Sequence, residues 1–349
     1  MAASPEIVEA AQEAGLHYTS DSTPGITRRK ARGGFAYFDA NGKKVTNYEE
    51  IDRINKLAIP PAYDRVWICP DPNGHLQATG FDARGRKQYR YHPRFREFRD
   101  ENKFMRMAEF GAILPKIRER IDADLSLEGF PKEKVAAVVV YLLERSLIRI
   151  GNEEYAHENK SYGLTTMLSR HVKVQGQKIE FTFLGKSKIK HKIEIHDKRL
   201  ARLVKRIQDL PGQELIHYLD DEGVAHSISS SEVNHYLHEI TGEHVTAKDF
   251  RTWWGTLLAF VELAGQEAPT TKAAQKRIVT QAMKNVSHQL GNTPAICRKC
   301  YVHPHVVEAF IEGSLRECFP KKEGLSDDEL LSCAEDKLIR LLKRVAKAA

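Results

Sequence analysis

The hydrophobic pattern of this chain shifts from mainly strand-like to mainly helical near residue 94, and that shift sets the fold class. Before it, short apolar and aromatic runs sit between turn residues, as strands require. Phe35-Ala36-Tyr37-Phe38, Arg65-Val66-Trp67-Ile68, Leu76-Gln77-Ala78-Thr79-Gly80 and Gln88-Tyr89-Arg90-Tyr91-His92 read as strands, with a hairpin turn at Asp39-Ala40-Asn41-Gly42. Pro24 to Lys30 opens this strand-and-turn region, and helices are expected over Pro5–Ala14 and Tyr48–Leu57. After it, apolar residues recur at helical spacing. Helices are expected over Arg94–Met107, Leu114–Asp124, Pro131–Ile150, Lys198–Leu210, Ser230–Thr241, Thr246–Ala264, Thr271–Leu290 and Asp327–Ala349. One β insertion interrupts them: Arg170–Val174, Lys178–Leu184 and Ile189–Ile195 alternate with period two, as three antiparallel strands. The expected class is α+β. Residues 1–95 form a small, mainly antiparallel β domain, and residues 96–349 a larger, mainly α-helical domain with a three-stranded insertion.

At 349 residues, two cores are affordable. With 54 basic against 47 acidic residues, the net charge of +7 predicts a polyanionic partner. Five cysteines without disulfide spacing, and no recognisable signal peptide, point to a reducing cytoplasm. The longest apolar run, Val135–Leu143, is far short of the ~20 residues that span a bilayer.

Polar residues gather at element edges. Gly291 stops one helix, Asn292 or Thr293 caps the next, Pro294 suits its first position, and Tyr301 falls about two turns in, beside Arg298 and Lys299. Arg149 stands at the end of an apolar helix before Gly151, Lys186 at the turn after Phe183-Leu184-Gly185, and Arg251 in the first turns of a helix. Each alone has an ordinary structural explanation: a core tyrosine, a helix-ending arginine, a solvated turn lysine, a surface arginine. Together they make a reactive set. Two guanidinium groups can hold the oxygens of a phosphodiester, a tyrosine can attack the phosphorus, and a lysine can protonate the leaving alkoxide. Such a set calls for no metal, because the arginines carry the positive charge.

In motif order this chain resembles the type IB DNA topoisomerases, in particular their poxvirus-like and bacterial branch. The family's IRxGNxxY is matched by Ile148 to Tyr155, its FLGK turn by Phe183 to Lys186, and its KxxR by Lys248 and Arg251. Its TPxxxxxxY is matched from Thr293 to Tyr301, and its DNA-reading GRKQYxY strand from Gly85 to Tyr91. The resemblance implies a tyrosine recombinase/topoisomerase IB-like fold and relaxation of positive and negative supercoils. It makes Tyr301 the nucleophile of a 3′-phosphotyrosyl intermediate, Arg149 and Arg251 the phosphate clamp, and Lys186 the general acid. Asn292 takes the place of a histidine found in many relatives, with His288 one turn upstream as an alternative source of that function. Duplex DNA is the implied partner, held between the two domains. Arg84, Arg86, Lys87, Gln88, Tyr89, Tyr91, Tyr155 and Lys248 are its expected contacts. No ATP, metal or other cofactor is implied. A monomer associated with the nucleoid is expected.

Two rival readings share some of these residues. Tyrosine site-specific recombinases use the same arginine, lysine and tyrosine logic but usually carry HxxR, where this chain has Lys248 before Arg251. A non-catalytic DNA-binding relative would have lost part of the set, whereas here only the histidine position departs. Cys297, Cys300, His303 and His305 superficially suggest zinc, but a helix through Cys297–Tyr301 cannot turn all four to one point. The clusters Asp220-Asp221-Glu222 and Asp327-Asp328-Glu329 read as turn and helix-start charges.

Overall fold

The structure, a computed structural model, describes residues 5–348 except 211, 213, 221 and 317–326. The side chains of residues 5, 6, 154, 155, 158, 327, 328 and 346–348 also lie outside the description. The chain divides into two compact units, Met1–Phe104 and Met105–Ala349.

The first unit contains α1 (Pro5–Glu13), β1 (Ile26–Ala31), β2 (Gly34–Phe38), α2 (Tyr48–Lys56), β3 (Asp64–Ile68), β4 (Leu76–Phe81), β5 (Lys87–Tyr91) and α3 (Pro93–Met105). Its strands form one antiparallel sheet in the order β2-β1-β3-β4-β5. Alternation turns Ile26, Val66, Ile68 and Ala78 into a core with Ile54 of α2. The GRKQYRY strand, β5, is an outer strand of the sheet, paired in this sheet with β4 alone.

The second unit begins with α4 (Met107–Asp124), α5 (Lys132–Ser146) and α6 (Glu153–Asn159). The sheet β6 (Val172–Gln175), β7 (Lys178–Leu184) and β8 (Lys190–His196) follows in sequential antiparallel order. Then come α7 (Lys198–Gln208), a hairpin of β9 (His217–Leu219) and β10 (Ala225–Ser227), α8 (Ser230–Thr241), α9 (Ala247–Ala264) and α10 (Lys272–Leu290). The last elements are α11 (Pro294–Cys300), α12 (Pro304–Ile311) and α13 (Asp327–Ala348). Helix α5 is buried on all sides from Val135 to Val140 and packs on α4, α8 and α9. Its uniformly apolar run is thus that of a central helix. The small hairpin, α6 and α12 have no counterpart in the sequence reading.

Helix α4 starts at Met107, a full two turns before the expected Leu114, and continues through Gly111 and Pro115. The buried stripe Phe110, Leu114, Ile117 and Ile121 explains why it does. Gly111 has a packing role: a Cβ there would stand 2.4 Å from the Trp253 ring of α9. Helix α5 stops at Ser146 rather than at the expected Ile150, because Leu147 turns left-handed at φ 56°.

The C-terminal helix α13 is tied to the core through charge as well as apolar packing. Arg118 of α4 donates to both oxygens of Glu335 at 2.8 and 2.9 Å and to Glu144 of α5 at 2.7 Å, while Trp253 Nε1 donates to Glu335 Oε1 at 3.1 Å. Burial alone would weaken the charge of Arg118; the hydrogen bonds and charges of Glu335 and Glu144 more than reverse this. Three helices therefore meet on one arginine, and α9 joins them through Glu335. Glu335→Ala should lower the denaturation midpoint of this unit by an amount equivalent to about 2–4 kcal/mol, since it strands the indole N–H and half-unpairs Arg118. Urea titration of the variant checks this, and an unchanged midpoint would show that the network contributes nothing net.

Candidate active site

The site grows from the ends of two helices. An α-helix leaves its last carbonyls without partners and carries partial negative charge there. At the end of α5 the chain turns left-handed at Leu147, and at the end of α10 it does so at Gly291, φ 59°. Arg251, on the second turn of α9 and only 4% exposed, closes both ends. Its Nη1 donates to the Leu147 carbonyl and its Nη2 to the Leu290 carbonyl at 2.7 Å. Burial, and then the nearby charge of Arg149, pull its pKa down to about 10, so it remains a cation at neutral pH.

The residue after each helix end carries the site onward. Arg149, expected at a helix end, lies beyond it in the irregular segment leading to α6. That segment is pinned by Leu164 N donating to Arg149 O at 2.9 Å and Thr165 N to Ile150 O at 2.8 Å. Gly163 permits the approach, since a Cβ there would meet Gly151 Cα at 2.5 Å. Asn292 follows Gly291 directly, and Arg149 Nη2 donates to its Oδ1 and, at 3.5 Å, to Gly291 O. Two buried donors, Arg251 Nε and Asn292 Nδ2, have no hydrogen-bond acceptor among the described residues. The amide lies toward the Cys297 thiol, whose pKa burial pushes up to about 11.

Thr293 caps α11 by accepting from Ile296 N at 3.3 Å, with Pro294 at the first helical position, as read from the sequence. Tyr301, read about two turns into this short helix, stands at its C-terminal cap, at φ −132° and ψ −9°. The cause is Thr256 of α9. Its hydroxyl donates to Tyr301 O at 3.1 Å and accepts from His303 N at 3.0 Å, turning the chain toward α12. Gly255 makes room, because a Cβ there would stand 2.6 Å from Tyr301 O. Arg251 and Gly255 are four residues apart on α9 and share a face. The same helix face thus holds the guanidinium and seats the tyrosine, whose ring centroid is 5.3 Å from Arg251 Cζ.

The structure brings Arg149, Arg251, Asn292 and Tyr301 together. No hydrogen bond or ion pair links Lys186 to them among the described residues. That side chain is exposed on a tight turn, Lys186–Lys188, where Ser187 and Lys188 have φ 64° and 59°. The cleft beside the arginines is walled by Tyr162, Phe183, Gly185, His191 and Leu290. His191, half-buried on β8, was missed in the sequence, and His288 is exposed and absent from these walls. The signal for His191 was there: Ile189, His191, Ile193 and Ile195 alternate onto one face. Among the described residues no cluster of three or more His, Cys, Asp or Glu side chains could hold a metal ion.

Residues 92–318 match the family described as the catalytic core of eukaryotic DNA topoisomerase I. The chain is also 31% identical over 331 residues to DNA topoisomerase 1B of Acanthamoeba polyphaga mimivirus, which covers 93% of this chain and 96% of that relative. The chain belongs to the type IB DNA topoisomerases. It is therefore an enzyme, and DNA is the substrate of its family. Its residues 34–82 match the N-terminal domain of bacterial DNA topoisomerase IB. More distant viral relatives include DNA topoisomerase 1B of Vaccinia virus (strain Copenhagen), 22% identical over 282 residues, covering 78% of this chain and 83% of the relative. DNA topoisomerase 1 of rabbit fibroma virus is 25% identical over 266 residues, covering 74% and 79%.

In this topoisomerase the residues expected to touch DNA fall on several surfaces. Strand alternation puts Lys87, Tyr89 and Tyr91 on one face of β5, and Gln88 and Arg90 on the other. Tyr89 and Tyr91 stack at 6.2 Å with 10° between rings, and Tyr89 is 49% exposed. Asp82 organises the preceding turn: it accepts from Arg84 N, Arg86 Nε at 2.8 Å and Gln88 Nε2 at 3.1 Å. The Arg86 hydrogen bond is the main reason its carboxyl is pulled down to about 2. Lys87 pairs with Asp21 at 2.6 Å. Lys248 is exposed in the first turn of α9, and the Tyr155 side chain lies outside the described residues.

The seat of Tyr301 is testable by one methyl group. Gly255→Ala forces a Cβ against a backbone oxygen that cannot swing aside, displacing Tyr301. Plasmid relaxation should slow by about 10²-fold, the order expected for a misplacement near 1 Å. A variant relaxing plasmid at the wild-type rate would show that this contact does not position the tyrosine.

Proposed function

We propose that this type IB topoisomerase relaxes positive and negative supercoils through a transient 3′-phosphotyrosyl bond to Tyr301, without ATP or metal. The observation that carries the reading is the grouping of Arg149, Arg251, Asn292 and Tyr301, with two buried donors, Arg251 Nε and Asn292 Nδ2, that have no well-formed hydrogen bond among the described residues. Donors fixed in advance of the reaction are what a phosphoryl group needs as its oxygens gain charge. Arg251 keeps its own position through the two helix-end carbonyls, which leaves Nε for a ligand oxygen. Arg149 adds a second guanidinium, and Asn292 an amide N–H.

The chemistry runs as a balanced exchange. The Tyr301 oxygen bonds to phosphorus as its phenol proton leaves, the bond from phosphorus to the 5′ oxygen breaks, and Lys186 gives that oxygen a proton. The downstream duplex then rotates. Religation reverses each step, with the 5′-hydroxyl attacking and Lys186 taking the proton back. One diester is exchanged for another, so no energy source is needed. Lys186 sits on a turn bounded by Gly185 and two left-handed residues, and its reach to the leaving oxygen belongs to the DNA-bound state. Strand β5 contributes DNA contacts through Lys87, Gln88, Tyr89 and Tyr91 and the turn before it through Arg84 and Arg86, with Lys248 and Tyr155 as further contacts.

Relaxation of both supercoil signs in EDTA without ATP, by wild type and not by Tyr301→Phe, is the expected outcome. The variant should still bind DNA within about threefold, since only one oxygen is lost. Relaxation by the variant would remove Tyr301 from the role of nucleophile. Lys186→Ala should cut an ordinary diester about 10²–10⁴-fold more slowly. It should recover on a substrate with a 5′-bridging sulfur, because a thiolate leaves without a proton. Equal loss on both substrates would exclude a general acid at Lys186.

A further inference from the structure

His191 lies where the two halves of the site meet, and its surroundings are built to its shape. It is the cross-strand partner of Phe183, at the end of β7 that leads into the Lys186 turn. The two rings stack at 5.2 Å with 17° between planes. Two glycines, from distant parts of the sequence, open onto the imidazole. A Cβ at Gly185 would stand 2.6 Å from His191 Cδ2, and a Cβ at Gly291 would stand 2.3 Å from His191 Cε1. Gly185 has ordinary extended backbone, φ −93° and ψ −163°, so its torsion angles do not demand glycine. Space for the ring does. Gly291 answers to both its left-handed φ and the ring. One imidazole is therefore packed between the residue before Lys186 and the residue before Asn292.

We propose that His191 is a positioning residue for strand cleavage, its ring the wedge that holds the Lys186 turn in register with the Gly291–Asn292 turn. The inference rests on the general-acid reading of Lys186. Side chains in close-packed surroundings transmit displacements instead of absorbing them. Removing the ring would leave Gly185 and Gly291 facing a void and free the turn to drift. Neither ring nitrogen has a hydrogen-bond partner among the described residues. Burial, then the charges of Arg149 and Arg251, hold the imidazole below its ordinary pKa, so it packs as a neutral ring. Shape is thus the property the site uses.

Three measurements on the full chain test this, all single-turnover cleavage of a duplex with an oxygen or a sulfur at the 5′ bridging position. His191→Ala should lose about 10²-fold on the oxygen substrate. It should stay within about threefold of wild type on the sulfur substrate, because the sulfur substrate bypasses the displaced lysine. That second rate also shows that the variant is folded. His191→Phe, which keeps a flat ring, should regain most of the loss. In a Lys186→Ala background, His191→Ala should add no further loss on the oxygen substrate, since the two act through one step. Equal loss on both substrates, or additive losses with Lys186→Ala, would overturn the wedge. Failure of the phenylalanine to rescue would replace shape by direct hydrogen bonding from the imidazole, and overturn it equally. If Lys186→Ala itself is not rescued by sulfur, the general-acid reading fails, and this inference falls with it. If Lys186→Ala is rescued and His191→Ala is not, only the wedge fails.

Discussion

Much of the second unit is arranged so that one buried arginine can hold two helix ends. Arg251 takes the terminal carbonyls of α5 and α10, and the chain emerging from those ends carries Arg149 and Asn292. A guanidinium with low exposure is costly unless its donors are met. Here the negative ends of two helix dipoles meet two of them. This explains why Arg251 can lie buried in α9. It also explains why both helices stop with left-handed residues: only there do the carbonyls turn away from the helix axis toward α9. Leu147, an unbranched-at-Cβ side chain at φ 56°, accepts roughly 1–2 kcal/mol of strain to do so.

The same helix seats the tyrosine, so the clamp and the nucleophile proposed here share a rigid support. Gly255 and Thr256 fix the Tyr301 backbone one turn from Arg251. Two turns of α9 also contain Trp253, which the Arg118–Glu335 network holds from the opposite side. The C-terminal helix, which carries no functional signal in the sequence, is therefore coupled mechanically to the helix that bears the site.

Local signals were legible and long-range packing was not. The period change near residue 94, the helix caps at Thr293 and Pro294, and the hairpin order of β6–β8 depend on neighbours a few residues away. So do the motif spacings that reveal the family. What failed depended on contacts across the fold. Arg149 was read as ending a helix because nothing in the run Leu147-Ile148 forbids one more turn; Arg251, 104 residues after Leu147, takes the carbonyl that ends it. Tyr301 was read inside a helix because Thr256 could not be foreseen as its turning point. His191 was overlooked because a histidine on a strand face is ordinary until the glycines opposite it are known. The exposed Lys186 shows the converse limit, since its motif position implies a catalytic role that its surroundings do not display.

Asp82 gives β5 a property that composition conceals. Arg86 and Gln88 are already bonded to this carboxylate, and Lys87 to Asp21. Cations neutralised within the protein bring fewer displaced counterions to an encounter with a polyanion, because the phosphate must first compete with a resident carboxylate. The strand therefore trades charge for order. In the DNA contact proposed for it, its side chains would lose little freedom, while its pull at a distance would be weaker than its run of basic letters suggests.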